Sequence, residues 1–243
     1  MKQLKHFDKV QVRNGESIDS FLDGRLRLIQ SKSGYRFSID AVFLAEFATV
    51  KKGDVIVELG TGCGVILMIL STREEISHAI GIEIQEELAS QAIRNAMLNN
   101  FTARVSIVRA DLRSCPLMPG CADLVICNPP YRKPRSGRLN PDLQKAIARH
   151  EIMASLQDII RAARSLLKVK GRFTIIYPAE RLAHVISQLR KFQLEPKRIR
   201  IQYPTLKSNA KLVLIEAILG GRPGLHIEPP LMGQGDYSII PHG

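Results

Sequence analysis

From residue 54 onward, short apolar runs rich in β-branched residues alternate with longer segments whose apolar residues recur every three or four positions. Unbroken apolar runs of this length suit strands buried on both faces. They fall at 54–59, 78–84, 104–110, 122–128 and 171–178. The intervening spacing predicts helices at about 64–72, 86–99, 150–168 and 179–191. A strand followed by a helix, four times over, is the pattern of a parallel sheet covered by helices on both faces. "RIRIQYP" (198–204) and "AKLVLIEAIL" (210–219) then follow each other across a short polar loop, which predicts an antiparallel pair closing the sheet. The expected fold class is therefore α/β, with a seven-stranded mixed sheet whose last strand pair is antiparallel.

Ahead of the repeat, "RLRLIQSKSGYRFSID" (25–40) alternates apolar and polar residues around Ser-Lys-Ser-Gly and reads as a hairpin, with a helix beginning near Asp40. Fifty residues are too few to bury a core alone, so this segment is expected to lie on the main domain as an edge or lid. The organisation predicted is an N-terminal hairpin and helix extension at 1–50, a main domain at 51–222 and a C-terminal tail at 223–243.

Composition narrows the partner. The 243 residues carry 35 Lys and Arg against 23 Asp and Glu, a formal charge of +12. That balance favours a polyanion such as nucleic acid over a neutral small molecule, with a merely solvated basic surface as the alternative. The opening "MKQLKHFDKV" lacks the apolar stretch of a secretory signal, and the longest apolar run, "VILMIL" (65–70), is too short to span a bilayer. A cytoplasmic protein without membrane association is expected. Cys63, Cys115, Cys121 and Cys127 form no C-x-x-C pair and have no histidines at ligand spacing, so no metal and no disulfide framework is expected.

The first candidate site is "VELGTGCGV", which places Gly60, Gly62 and Gly64 where the first strand of the repeat turns into its helix. Glycines there allow a tight turn and a close approach to a ligand. A dinucleotide fingerprint requires glycine at position 65, where this chain has Val65, so pyrophosphate binding is disfavoured. The G-x-G-x-G form resembles instead the S-adenosylmethionine loop of Rossmann-like methyltransferases. Acids follow the first three strands in the matching order. Glu83, 19 residues beyond Gly64, suits the ribose hydroxyls; Asp111 suits the adenine amine; Glu58 suits the ammonium group. A ligand bearing a sulfonium and an ammonium is well matched by carboxylates. Singly, each acid also suits a strand-end charge or a helix cap. Thr61, Ile84 and Leu112, adjoining these residues, complete the expected lining.

The second candidate is "NPPY", Asn128, Pro129, Pro130 and Tyr131, at the end of the fourth strand. In a doubly wound sheet that end lies beside the glycine turn, where ligands bind. The tetrapeptide resembles the Asn/Asp/Ser-Pro-Pro-aromatic motif of methyltransferases acting on a nitrogen conjugated to a π system. That resemblance implies that the Asn128 side-chain oxygen and the following backbone carbonyl accept the N–H bonds of a poor nucleophile, while Tyr131 stacks on the flipped base. Prolines lock φ and carry no N–H, which fixes the acceptors. An isolated match would also suit a simple strand-ending turn.

The chain then runs "RKPRSGRLNPDLQKAIARHE", in which Arg132, Lys133, Arg135 and Arg138 suit a phosphate backbone beside the reacting site. Lys197, Arg198, Arg200, Lys207 and Lys211 form a second basic stripe able to extend that footprint. Together, "SGYRFSIDAVFLAEFA", "ELGTGCGVI", "GIEIQEELASQAIRNAMLNN" and "NPPYRK" followed by "ARHE" resemble the bacterial tRNA1(Val) N6-adenine methyltransferase family over residues 20–220. The resemblance implies S-adenosylmethionine as cofactor, tRNA as partner, and Tyr35, Phe37 and Asp40 as residues covering the cofactor, unless they serve strand packing and helix capping. The competing readings are a protein glutamine N5-methyltransferase, a DNA adenine methyltransferase, and a non-catalytic RNA-binding protein of the same fold. Oligomeric state is left open.

Overall fold

The computed structural model of the chain describes residues 10–33, 37–73, 76–130, 154–233 and 240–241. An antiparallel hairpin opens the chain, β1 (Glu16–Phe21) pairing with β2 (Leu26–Ser31) from Glu16↔Ser31 to Phe21↔Leu26. Its turn is Leu22–Asp23–Gly24, all three at positive φ, and not the Ser-Lys-Ser-Gly stretch expected. Asp-Gly supplies the left-handed backbone that a tight hairpin needs, and this pairing puts Phe21, Leu26 and Leu28 on the buried face. The helix α1 (Ile39–Phe47) follows, buried at six of its nine residues.

The repeat then unfolds as β3 (Val55–Leu59), α2 (Val65–Ser71), β4 (His78–Glu83), α3 (Glu86–Leu98), β5 (Val105–Arg109), β6 (Ala122–Cys127), α4 (Leu156–Leu166), β7 (Leu167–Pro178) and α5 (Leu182–Lys191). The fourth helix begins later than the spacing suggested, because Ser155 takes extended backbone and forms a capping box with Asp158. The long strands β8 (Leu194–Tyr203) and β9 (Leu212–Leu219) complete the series, followed by dipeptide strands β10 (His226–Ile227), β11 (Leu231–Met232) and β12 (Ile240–Pro241).

The main sheet runs β5-β4-β3-β6-β7-β9-β8-β10, with β11 also on β8. β5 through β7 are mutually parallel, and β9 is antiparallel to both its neighbours. The seven long strands are those read from the sequence; the two dipeptides lie along the outer edge of β8, which shields an edge that would otherwise pair with another chain. After β5 the chain returns to the other side of β3, so the strand order reverses between β3 and β6. Such a reversal opens a crevice at the carboxyl ends of the two strands.

Period-two alternation divides the core. Ile56, Leu124, Ile126, Leu212 and Leu214 face the layer holding α1, α2 and the hairpin; Val57, Leu59, Val125, Cys127, Val213 and Ile215 face α4 and α5. All seven residues of α2 are buried, as a helix without a polar face requires. One side of α2 meets the sheet, and α1, α3 and β2 close around the rest. Each large apolar side chain so enclosed contributes roughly 1.5–3 kcal/mol. No helix among the described residues is long and apolar enough to cross a membrane.

Candidate active site

Sheet register assembles the rim. Leu59 pairs with Cys127 on one side and Ile82 on the other, so Gly60, Asn128 and Glu83 leave the sheet at the same level on adjacent strands. Neighbouring strands lie about 4.8 Å apart. Glu83 in turn pairs with Arg109, which brings Asp111 to this edge two residues later. The glycine turn, Glu83, Asp111 and Asn128-Pro129-Pro130 are therefore one continuous surface, although they are drawn from four strands.

The turn spends its N–H groups inward. Those of Gly60 and Thr61 both donate to the Ile82 carbonyl at 2.9 and 3.0 Å, and that of Gly64 to the Thr61 carbonyl at 2.9 Å. The Gly62 N–H donates to Glu83 Oε2 at 2.9 Å, and the Gln85 N–H to Oε1 at 2.8 Å. A pyrophosphate loop aims such groups outward at an anion; this one uses them to fix a carboxylate. Each Glu83 oxygen keeps a further lone pair for a hydroxyl. Gly60 is exposed at φ +72°, with open space where a Cβ would stand, so the backbone itself can line a ligand. Gly64 opens α2 at φ +84°, and a Cβ there would meet Ala92 Cβ of α3 at 3.1 Å.

Glu58 lies beneath the turn, not on its surface. Its side chain points into the core layer and accepts the Thr61 hydroxyl proton at 2.5 Å. Burial, with help from the negative charge of Glu83 and against the Thr61 hydrogen bond, raises its pKa from 4.5 to about 8. Glu58 is thus a carboxyl whose ionised form a nearby cation would favour. Carboxylates, an open glycine and the inward-turned N–H groups of Gly60, Thr61, Gly62 and Gly64 fit a cationic sulfonium nucleoside, S-adenosylmethionine, better than a pyrophosphate.

The remaining expected residues divide. Ile84 is exposed immediately after Glu83, and Leu112 is half-buried within a short 3-10 turn, 112–114. Asp111 caps that turn through the Arg113 N–H at 2.9 Å, and its carboxylate grips the Arg113 guanidinium at 2.5 Å, which holds its pKa below the usual range. Phe37 is a core residue, 7% exposed and edge-to-face with Phe21 at 5.5 Å, the contact that strand packing calls for. Asp40 is half-buried in the first turn of α1, whose N-cap is Ser38. Tyr35, Tyr131, Arg132, Lys133, Arg135 and Arg138 lie outside the described residues. Pro129 is buried and Pro130 exposed.

Three residues of the second basic stripe, Lys197, Arg198 and Arg200, are tied into the fold. Arg198 bonds Glu216 at 3.0 Å, Glu228 at 2.7 Å, the Phe47 carbonyl and the Thr49 hydroxyl, and covers the Phe47 ring at 4.6 Å. Lys197 donates to the Arg222 carbonyl and Arg200 to that of Pro229, pinning the segment after β9.

One residue was missed by the sequence reading. Asn95 of α3, fully buried, donates through Nδ2 to the Cys63 carbonyl of the glycine turn at 2.9 Å. Its only sequence signal is a second asparagine one helical turn on, in "RNAMLNN".

With this geometry, the pattern described as "Methyltransferase domain" matches residues 50–215. The chain belongs to this methyltransferase family. Among curated proteins, the tRNA1(Val) (adenine(37)-N6)-methyltransferase of Parabacteroides distasonis is 30% identical over 190 residues, covering 76% of this chain and 77% of that protein. The enzyme of the same name from Bacteroides thetaiotaomicron is 29% identical over 150 residues, 61% of this chain and 62% of its own length. Among solved structures, that of a predicted O-methyltransferase from Agrobacterium tumefaciens superposes with a TM-score of 0.64 at 23% identity, over 83% of this chain and 92% of that one. A methyltransferase from Aquifex aeolicus gives 0.53 at 16% identity, over 74% and 89%. These two likenesses carry the fold. The chain is therefore a methyltransferase with the doubly wound fold of those structures, and its rim residues fit S-adenosylmethionine as the methyl donor.

Proposed function

We propose that this methyltransferase transfers a methyl group to the exocyclic N6 of an adenine in RNA, with tRNA as the substrate. The reading rests on one observation above others: the parallel register sets Asn128 level with Gly60 and Glu83, so acceptor groups and cofactor turn share a rim. The names of the relatives and the +12 charge support the nucleic-acid half of the proposal.

An adenine amine is planar because its lone pair is delocalised into the ring, and it attacks poorly. The Asn128 side-chain oxygen and the carbonyl after it would each accept one N–H, drawing the nitrogen toward tetrahedral geometry and aiming its lone pair along the rim. Pro129 and Pro130 hold that carbonyl because their φ is locked and they offer no competing donor. Acceptors fixed in this way before the base arrives would need no reorganisation during reaction. Bound S-adenosylmethionine supplies an electrophilic methyl group. Gly60 and Glu83 would line it, with Glu58 supplying charge from below. Tyr131 would stack on the extruded base, and Arg132, Lys133, Arg135 and Arg138 would hold the adjoining phosphates. The released proton goes to solvent, so no separate base is required.

The test is a substrate survey. Protein and methyl-labelled S-adenosylmethionine are incubated with total tRNA, rRNA, duplex DNA or a peptide-release factor, and the labelled product is digested and identified. Label recovered as N6-methyladenosine from tRNA is the expected result. Label on glutamine or in DNA would replace this reading.

A further inference from the structure

The polar face of α3 does something unusual for a helix: it completes a β-sheet. Asn95 Oδ1 accepts the Ile29 N–H at 2.7 Å, and its Nδ2 reaches the Ile29 carbonyl at 3.2 Å. One turn later, Asn99 Oδ1 accepts the Arg27 N–H at 2.9 Å, and its Nδ2 donates to the Arg27 carbonyl at 2.7 Å. Residues 27 and 29 are alternate positions of β2, whose outward N–H and C=O groups recur every second residue, about 6.6 Å apart. A helix rises about 6.0 Å over four residues. Two asparagines spaced i, i+4 therefore match the strand repeat and stand in for the missing neighbour strand.

The same α3 face grips β1 as well. Arg94 and Gln91 both bond Glu16, whose carboxylate the Arg94 guanidinium holds down near pKa 2. Of this set, Asn95 alone has a second partner at the cofactor rim, since its Nδ2 is shared between the Ile29 carbonyl and the Cys63 carbonyl. Cys63 lies between Gly62, whose N–H fixes Glu83, and Gly64, which packs on Ala92 one turn before Asn95. A displacement of β2 would therefore pull on the side chain that holds the turn.

We infer that Asn95 is a positioning residue that couples docking of the N-terminal hairpin to the shape of the cofactor turn, so that cofactor binding and hairpin docking reinforce each other. This rests on S-adenosylmethionine occupying the glycine turn. Coupling of this kind is reciprocal, because whatever docking adds to cofactor affinity, cofactor adds to docking. Asn99 performs the same edge-completing task without reaching the turn, which makes it the internal control.

The experiment is amide hydrogen exchange of residues 26–31 with and without saturating S-adenosylmethionine, alongside calorimetric affinity. In the wild type, cofactor is expected to slow exchange at Arg27 and Ile29 by about tenfold, within the usual range of coupling between sites. Asn95→Ala should bind cofactor about tenfold more weakly and, once saturated, lose that slowing. Asn99→Ala should exchange faster overall yet keep the slowing and most of the affinity. Cofactor binding that leaves β2 exchange unchanged in the wild type overturns the inference, as does slowing that persists in Asn95→Ala. The wild-type comparison needs no variant and stands even if Asn95→Ala does not fold. Absence of any calorimetric binding to the wild type would overturn the cofactor assignment itself, a separate failure.

Discussion

Glu58 is the residue whose chemistry departs furthest from its ordinary state. An acid whose folded pKa lies above its unfolded value stabilises the fold while protonated. That contribution is fully present below 4.5 and is lost as pH rises through about 8. The cofactor-free protein should therefore melt at progressively lower temperature across that window, and Glu58→Gln should flatten the slope. On the proposed reading, cofactor binding places positive charge beside Glu58 and would favour its ionised form. Below pH 8, binding should then release a proton, visible as a binding heat that depends on the ionisation heat of the buffer. Equal heats in two buffers would place the cofactor's charges elsewhere. Glu16 behaves in the opposite sense, with its pKa held near 2 by Arg94, so its contribution is present above 4.5 and is lost as pH falls toward 2.

At the scale of elements, the turn between β3 and α2 depends on a glycine that opens a helix with left-handed backbone. Gly64→Ala should cost about 1–3 kcal/mol in chemical unfolding, combining the strain at φ +84° with the close approach of Ala92. The strands and helices of the repeat were legible because burial on both faces leaves an unbroken apolar run, and the helices between keep their period. The hairpin was legible as an element but not in register. Ser-Lys-Ser-Gly has turn composition, whereas Asp23-Gly24 has the backbone freedom that the closing turn uses. Glu58 reads as a strand-end charge, yet β3 is central and covered on both faces, so a side chain at that position must enter a layer. Asn95 was not legible in the same way, because its partners are backbone atoms of Ile29 and Cys63, and backbone groups leave no residue-type signature.

Over the whole molecule, the net charge of +12 is not one surface. Arg198, Lys197 and Arg200 hold α1, the β8–β9 pair and the segment after β9 together. Arg198→Ala should destabilise the protein by about 1–3 kcal/mol, because it removes the cation paired with buried Glu216 and leaves that carboxylate only its bonds from Thr49 and Thr174. It should leave the salt dependence of RNA binding as it was. Reversing charge at Arg132, Lys133 and Arg135 should do the converse, weakening RNA binding and shrinking the log–log salt slope by about 0.7 per lost phosphate contact, with stability retained. Equal slopes in both variants would move the RNA footprint away from that basic segment.

The proposed function depends on rigid acceptors beside the cofactor turn, and Asn128→Ala tests that directly. Cofactor affinity by calorimetry and single-turnover methyl transfer to tRNA are measured side by side for the variant and the wild type. The account predicts affinity within about threefold of wild type and transfer slowed by at least about 100-fold, the usual cost of removing one preorganised partner. Transfer at the wild-type rate, or affinity lost as severely as transfer, would contradict it.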